Sequence, residues 1–243
     1  MAKYKLILEY DGTGLIGFQK NKDGPSVQSL VEDAVFKFSG EHAEVVGCGR
    51  TDAGVHAAAM PAHFEVSGIR EQEVVKRALN FYLAGAPVSV VDAELVADDF
   101  HARFDCKMRR YRYFISNQDF PPVLDKNFVW WVPQKLDVAA MRAAASRLIG
   151  LHDFSSFRAA ECQAKSPVKT LDELKINADE WKIEFVFAAK SFLHHQVRNI
   201  VGTLVEIGRG KPIDIDAVLD AKDRRAAGPT APPEGLMFVA AEY

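Results

Sequence analysis

Gly47-Cys48-Gly49-Arg50-Thr51-Asp52-Ala53-Gly54-Val55-His56-Ala57 is a glycine-punctuated loop set between two strand-like segments, Ala43 to Gly47 and His63 to Val66. Glycines admit backbone conformations closed to other residues and let a ligand come close. Asp52 stands among three of them, with Arg50 two positions earlier. A guanidinium beside a carboxylate keeps it ionised and holds it in one direction. An ionised, oriented carboxylate is what covalent or general-base catalysis needs. An Asx turn with a surface ion pair accounts for the same residues, and the loop alone does not separate the two readings.

Outward from the loop, both flanks mix strands and helices. Tyr4, Leu6, Leu8 and Tyr10 alternate with Lys3, Lys5 and Glu9, a strand that stops at Asp11-Gly12. Ser26 caps a helix whose apolar stripe is Val27, Leu30, Val31, Ala34, Val35 and Phe38, and Gly40 ends it. A helix is expected over Glu71 to Leu83 and a strand over Val88 to Val96. A second unit opens near residues 101–106 with a long strand pattern, Arg103 to Ser116. Asp137 caps a helix carrying Val138, Met141, Ala145, Leu148 and Ile149, stopped by Gly150. Strands are expected at Val168–Ile176 and Trp181–Ala189. A helix with Val197, Ile200, Val201 and Leu204 then ends near Gly208, and a last helix covers Ile215 to Asp223. Neither half alternates strand and helix regularly enough for a parallel doubly wound sheet, so the class is α+β. The Pro- and Gly-rich stretch from Gly228 to Gly235 is too punctuated for a flexible linker and is expected to fold against something.

A formal net charge of −3 gives no whole-chain attraction to a polyanion, so any nucleic-acid site must gather its cations locally. Cys48, Cys106 and Cys162 form no CxxC pair, which argues against a disulfide framework and a cysteine-rich zinc site. Met1-Ala2-Lys3-Tyr4 runs straight into strand pattern without a signal peptide, and no apolar run is long enough to span a membrane. The reducing cytoplasm is the expected compartment.

Two further stretches carry chemistry. In Arg109-Arg110-Tyr111-Arg112-Tyr113, period two puts Lys107, Arg109, Tyr111 and Tyr113 on one face. Cations beside aromatics suit RNA, where phosphates meet the cations and unpaired bases stack on the rings; an edge strand kept soluble by its arginines is the alternative. In the Phe192 to Gly202 stretch, His194, Arg198 and Gly202 share a helix line, which lets Arg198 reach from the helix edge into a cleft; a solvated helix charge is the alternative. His194 and His195 are adjacent and do not face one way on a helix, and no acidic or cysteine ligand has suitable spacing, so no metal site is expected.

Taken in order, these pieces resemble the TruA-type tRNA pseudouridine synthases nearly end to end. The matching parts are Tyr10-Asp11-Gly12-Thr13 with Gly17-Phe18-Gln19, then Gly49 to Ala57, then Ala102-Arg103-Phe104-Asp105 with Arg110-Tyr111-Arg112-Tyr113. Gly150 to Phe157, Ser166 to Thr170, Phe192 to Gly202, and Thr230-Ala231-Pro232 with Gly235-Leu236 complete the series. The nine residues around Asp52 are the most specific. The resemblance implies isomerisation of uridine to pseudouridine at positions 38, 39 and 40 of the tRNA anticodon arm, without cofactor or metal. It implies Asp52 as the catalytic carboxylate, Arg50 and Arg198 as its partners near the flipped nucleotide, and Tyr111 stacked on the target uracil. It implies two ferredoxin-like α+β halves, residues 1–103 and 104–243, with sheets joined across a central cleft, and a homodimer with tRNA lying across both subunits. Whether Asp52 attacks C1′ or C6, or deprotonates the sugar, stays open. Met60-Pro61-Ala62, Ala84-Gly85 and Gln196 depart from the family pattern, which bears on loop shape and not on Asp52, Tyr111 or Arg198.

Overall fold

A computed structural model describes the whole chain, residues 1–243. It is mixed α+β and divides into two compact units, one made of Met1–Lys107 with Met237–Tyr243, the other of Met108–Leu236. The sequence suggests a break near residue 103; the first compact unit runs on to Lys107 and also takes in the last seven residues. Strand periodicity says which residues face inward but not which sheet a strand joins. No helix is long and apolar enough to cross a membrane.

The first unit runs β1 (Ala2–Tyr10), α1 (Val27–Ser39), β2 (Val46–Gly47), β3 (His56–Val66), α2 (Gln72–Tyr82) and β4 (Val88–Val96). Strand β1 pairs antiparallel with β3 on one side and β4 on the other, and β2 pairs antiparallel with β3, so the order is β4-β1-β3-β2. Alternation in β1 sends Tyr4, Leu6, Leu8 and Tyr10 into the core, where Met60, Phe64, Val31, Val35 and Leu79 are also buried. Ser26 and Ser29 form a reciprocal capping box at the start of α1, and Gly40 closes it in the left-handed conformation, φ 77°. Strand β3 is much longer than the expected 63–66, beginning directly after the Asp52 loop. Pro61 and the run of alanines mute its strand signal, since proline lacks the amide a ladder uses. Its carbonyl still accepts the Cys48 N–H at 2.7 Å, which ties β2 to β3.

The second unit runs β5 (Met108–Ser116), β6 (Trp130–Trp131), α3 (Val138–Ser146), β7 (Gly150–Asp153), β8 (Val168–Leu171), β9 (Glu173–Ala178), β10 (Lys182–Ala189), α4 (Gln196–Gly208) and α5 (Ile215–Ala221). The chain then returns as β11 (Leu236–Glu242), whose Met237 and Phe238 pair parallel with His56 and Ala57 of β3 in the first unit. Strand β10 lies between β5 and β9, antiparallel to both, while β7 and β8 form a separate two-stranded ribbon. Helix α4 is buried on almost every side, which is why its sequence is apolar well beyond one stripe. Several boundaries differ from expectation. The strand begins at Met108, not Arg103, because residues 101–105 close a turn through Asp105 N–H to the His101 carbonyl. The long strand expected over 168–176 breaks at Asp172, and Gly150 opens β7 instead of ending α3 directly. Helix α5 stops at Ala221.

Candidate active site

The Asp52 loop is the connection between β2 and β3, and it is held on both sides of the carboxylate. Just before it, the Thr51 carbonyl accepts the Phe18 N–H at 3.0 Å, and the buried Thr51 hydroxyl lies 2.9 Å from the Tyr10 hydroxyl. Just after it, Gly54 donates to Leu15 O at 3.3 Å and Val55 to Asp52 O at 3.2 Å. The loop after β1 wraps it closely: a Cβ on Gly17 would lie 2.6 Å from Thr51 O, and Gly17 takes φ 104°, so both space and conformation demand glycine there. Gly12 donates to His56 Nδ1 at 3.0 Å, joining the far end of the same wrap to the first residue of β3. Asp52 itself is half-buried and Arg50 exposed. These bonds fix the backbone on both sides of Asp52, the kind of support a preorganised site needs.

Asp11 and Asp105 are the other carboxylates a two-acid mechanism would draw on, and both are committed to turns. Asp11 Oδ1 accepts the Thr13 N–H at 2.9 Å, and Asp105 Oδ2 accepts the His101 N–H at 2.7 Å. Although burial alone would raise the Asp11 pKa, the Thr13 hydrogen bonds and neighbouring His56 hold it below the usual value.

In the second unit, β5 places Tyr111 and Tyr113 on its buried face, opposite Phe187 and Phe185 of β10. The Tyr111 ring meets Phe192 edge-on, with centroids 5.2 Å apart. Arg109 donates to the Lys190 carbonyl. Arg110 and Arg112, on the other face, lie beside Glu173 at 2.9 Å and Glu184 at 3.4 Å, so their neighbours across the sheet are carboxylates.

Arg198 lies on the first turn of α4. Its Nε donates to the Ala231 carbonyl at 2.8 Å, and its own carbonyl accepts the Ala231 N–H at 3.1 Å, which fixes the guanidinium against the 228–235 loop. Tyr113 holds the same loop, donating its hydroxyl to Pro232 O at 2.8 Å. Burial, reinforced by Glu234, pushes the Tyr113 pKa well above 10 and keeps it a neutral donor. The expected helix line through His194 is not formed: α4 begins at Gln196, after His195 in the left-handed conformation, φ 62°. A β-carbon disfavours that conformation, and such strain concentrates at functional segments. Gln196 uses its side-chain carbonyl to accept the Leu193 N–H at 2.8 Å.

The sequence assigns no role to the side chains of Asn199, Thr203 and Thr230, and offers Arg224 only as one of several cations able to meet a phosphate; together they tie helix α4 to the 228–231 segment beside Arg198. Buried Asn199 Oδ1 accepts from Thr230 at 2.7 Å and from Arg224 at 3.0 Å, its amide donates to Phe157 O at 2.9 Å, and Thr203 accepts the Gly228 N–H at 2.9 Å. The signal available was the polar run inside an otherwise apolar helix, since a buried polar side chain must find partners.

Comparison with known proteins agrees with this arrangement of motifs. A family model described as tRNA pseudouridine synthase matches residues 6–105 and again 144–243. The tRNA pseudouridine synthase A of Rhodospirillum rubrum is 49% identical over 245 residues, covering 100% of this chain and 88% of that protein. That of Paramagnetospirillum magneticum is 49% identical, covering 100% and 96%, and that of Rhodospirillum centenum 50% identical, covering 100% of both.

Proposed function

Because the chain belongs to the tRNA pseudouridine synthase family, as an isomerase of the TruA type, we propose that it converts uridines at positions 38, 39 and 40 of the tRNA anticodon arm to pseudouridine, with Asp52 as the catalytic carboxylate. What carries this reading is the pinned loop: backbone bonds to Leu15 and Phe18 in the stretch after β1, with the Tyr10 hydroxyl on Thr51, hold the residues on either side of Asp52, more support than a surface turn needs. Each half is ferredoxin-like. The β4-β1-β3-β2 order of the first unit supports this, as does the matching of one family model to each half in turn. The enzyme works in the cytoplasm as a homodimer with tRNA lying across both subunits.

A uracil stacked in a stem cannot leave C1′, turn and rejoin through C5, so the target nucleotide is extruded. Tyr111 replaces the lost stacking, a contribution of about 1–3 kcal/mol. Arg198 serves as the cationic partner of Asp52, and Arg50 helps hold the place of the flipped nucleotide. Asp52 then attacks C1′ or C6, or removes a sugar proton, and the proton on C5 is lost before release.

Two measurements check these roles. With tRNAs carrying a single uridine at 38, 39 or 40, pseudouridine should form at each; formation only outside the anticodon arm contradicts the substrate assignment. Tyr111→Phe should keep most of the activity and Tyr111→Ala lose about 10-fold or more in kcat/KM, the scale of one lost stack. Equal loss in both would assign the work to the hydroxyl instead.

A further inference from the structure

We propose that Phe104, with Arg103 beside it, is a stacking platform for an unpaired base of the RNA substrate, remote from the target nucleotide. The inference rests on the reading of tRNA as substrate. Phe104 is 74% exposed. A lone exposed apolar side chain is ordinary; the turn that holds this one out is not. His101 donates its N–H to the Asp105 carboxylate at 2.7 Å, and Asp105 returns its own N–H to the His101 carbonyl at 3.1 Å. His101 Nδ1 accepts the N–H groups of Arg103 and Phe104 at 3.1 and 3.3 Å. Ala102, fully buried, donates to His63 Nδ1 at 3.2 Å and accepts the Tyr243 hydroxyl at 2.7 Å.

The tip is thus rigid before anything binds, which lowers the entropy cost of binding. His101 lies under the Phe104 ring with centroids 4.2 Å apart, and the Arg103 guanidinium is 5.8 Å from that ring. An aromatic backed by an imidazole and flanked by a guanidinium suits a base, whose π face stacks whatever its identity. Burial, with His101 and Lys3 nearby, holds the His63 pKa below its usual value and so preserves the lone pair that accepts Ala102.

The surroundings say what kind of contact this is. Beside the turn lies an open hollow of about 600 Å³ lined by Lys5, Glu94, Asp99, Phe100 and Asp105 among others. Its carboxylates turn phosphates away, leaving the base and not the backbone as the recognised part. The site is far from Asp52. Strand β3 leaves the Asp52 loop at His56 and reaches the turn at His63, seven residues or about 23 Å later. Only an RNA with extended structure spans that distance.

Steady-state kinetics on unmodified tRNA test the proposal. Phe104→Ala should raise KM about 10-fold and leave kcat within about two-fold, since one lost base stack is worth about that much. Phe104→Trp should restore the wild-type KM, and the dependence of log KM on log salt should keep its slope, because no phosphate contact is lost. An unchanged KM in Phe104→Ala overturns the proposal. So does a KM that rises equally in the Trp variant, or a rise that accompanies dissociation of the oligomer on size-exclusion chromatography. Should the wild type fail to turn tRNA over, the functional reading has failed. Equilibrium titration of tRNA into both proteins then decides the contact separately, with a weakened Kd in Phe104→Ala supporting it and an equal Kd refuting it.

Discussion

Asp52→Asn should lower the single-turnover rate on tRNA by about 10⁴-fold or more, the loss seen when a nucleophile or its activator is removed, while the Kd for tRNA changes by less than about three-fold, or under 0.7 kcal/mol. Asparagine is the informative replacement. It keeps the size and hydrogen-bonding shape of aspartate and favours the same tight turns. A residue that served only as an Asx turn would pass through the change almost unnoticed. A nucleophile or base would not, because the amide has neither the charge nor the basicity. The loop should stay in place, since its support comes from the Thr51, Gly54 and Val55 backbone and the Thr51 hydroxyl, none of which the substitution touches. A variant that forms pseudouridine at the normal rate removes Asp52 from the mechanism. One that has also lost tRNA binding shows a role in assembling the site.

Gly202→Ala should be the most damaging small substitution in the second unit. A Cβ there would lie 1.8 Å from the carbonyl oxygen of Pro229, and one on Gly228 would lie 2.7 Å from the Cα of Thr203. Helix α4 and the 228–231 segment therefore meet backbone to backbone, where no side chain can swing aside. Overpacking of this kind costs about 1–3 kcal/mol or more, and about 3 kcal/mol corresponds to a fall in Tm of roughly 6–12 °C in a chain of this size. The same shift disturbs the paired bonds between Arg198 and Ala231, so activity should fall further than stability alone explains. Gly208→Ala, on the same helix, is the control. Its Cβ would meet the sulfur of Met141 at 2.6 Å, the far end of a flexible side chain. It should cost much less, because methionine repacks readily. Equal losses in the two variants would mean that the close approach at Gly202 carries no special weight; differential scanning calorimetry measures both.

Much of this was legible in the sequence where one residue carries one instruction. Ser26 and Gly40 mark both ends of α1, and the alternation of Tyr4, Leu6, Leu8 and Tyr10 marks β1 and its inward face. The α+β class and the packing of the 228–235 loop follow from signals of the same kind. What was not legible depends on partners distant in the chain. Pro61 sits inside an eleven-residue strand because its missing amide does not prevent pairing with β1 and β2. The stretch from Arg103 looks like strand, yet two histidines and an aspartate bend it into a turn. The C-terminal strand groups with the first unit, a choice made by neighbours and not by its own pattern. At the site, the loop advertises Asp52 through its glycines. The residues that steady it and Arg198, namely Tyr10, Thr51, Asn199 and Thr230, carry no local mark of that task.

The central claim is isomerisation of uridine in tRNA, and loss of the C5 hydrogen is its direct signature. Unmodified tRNA transcribed with 5-tritiated uridine, incubated with the unaltered protein, should release tritium to water in proportion to the pseudouridine formed at positions 38, 39 and 40. Saturable binding of that tRNA with no tritium released would contradict the account.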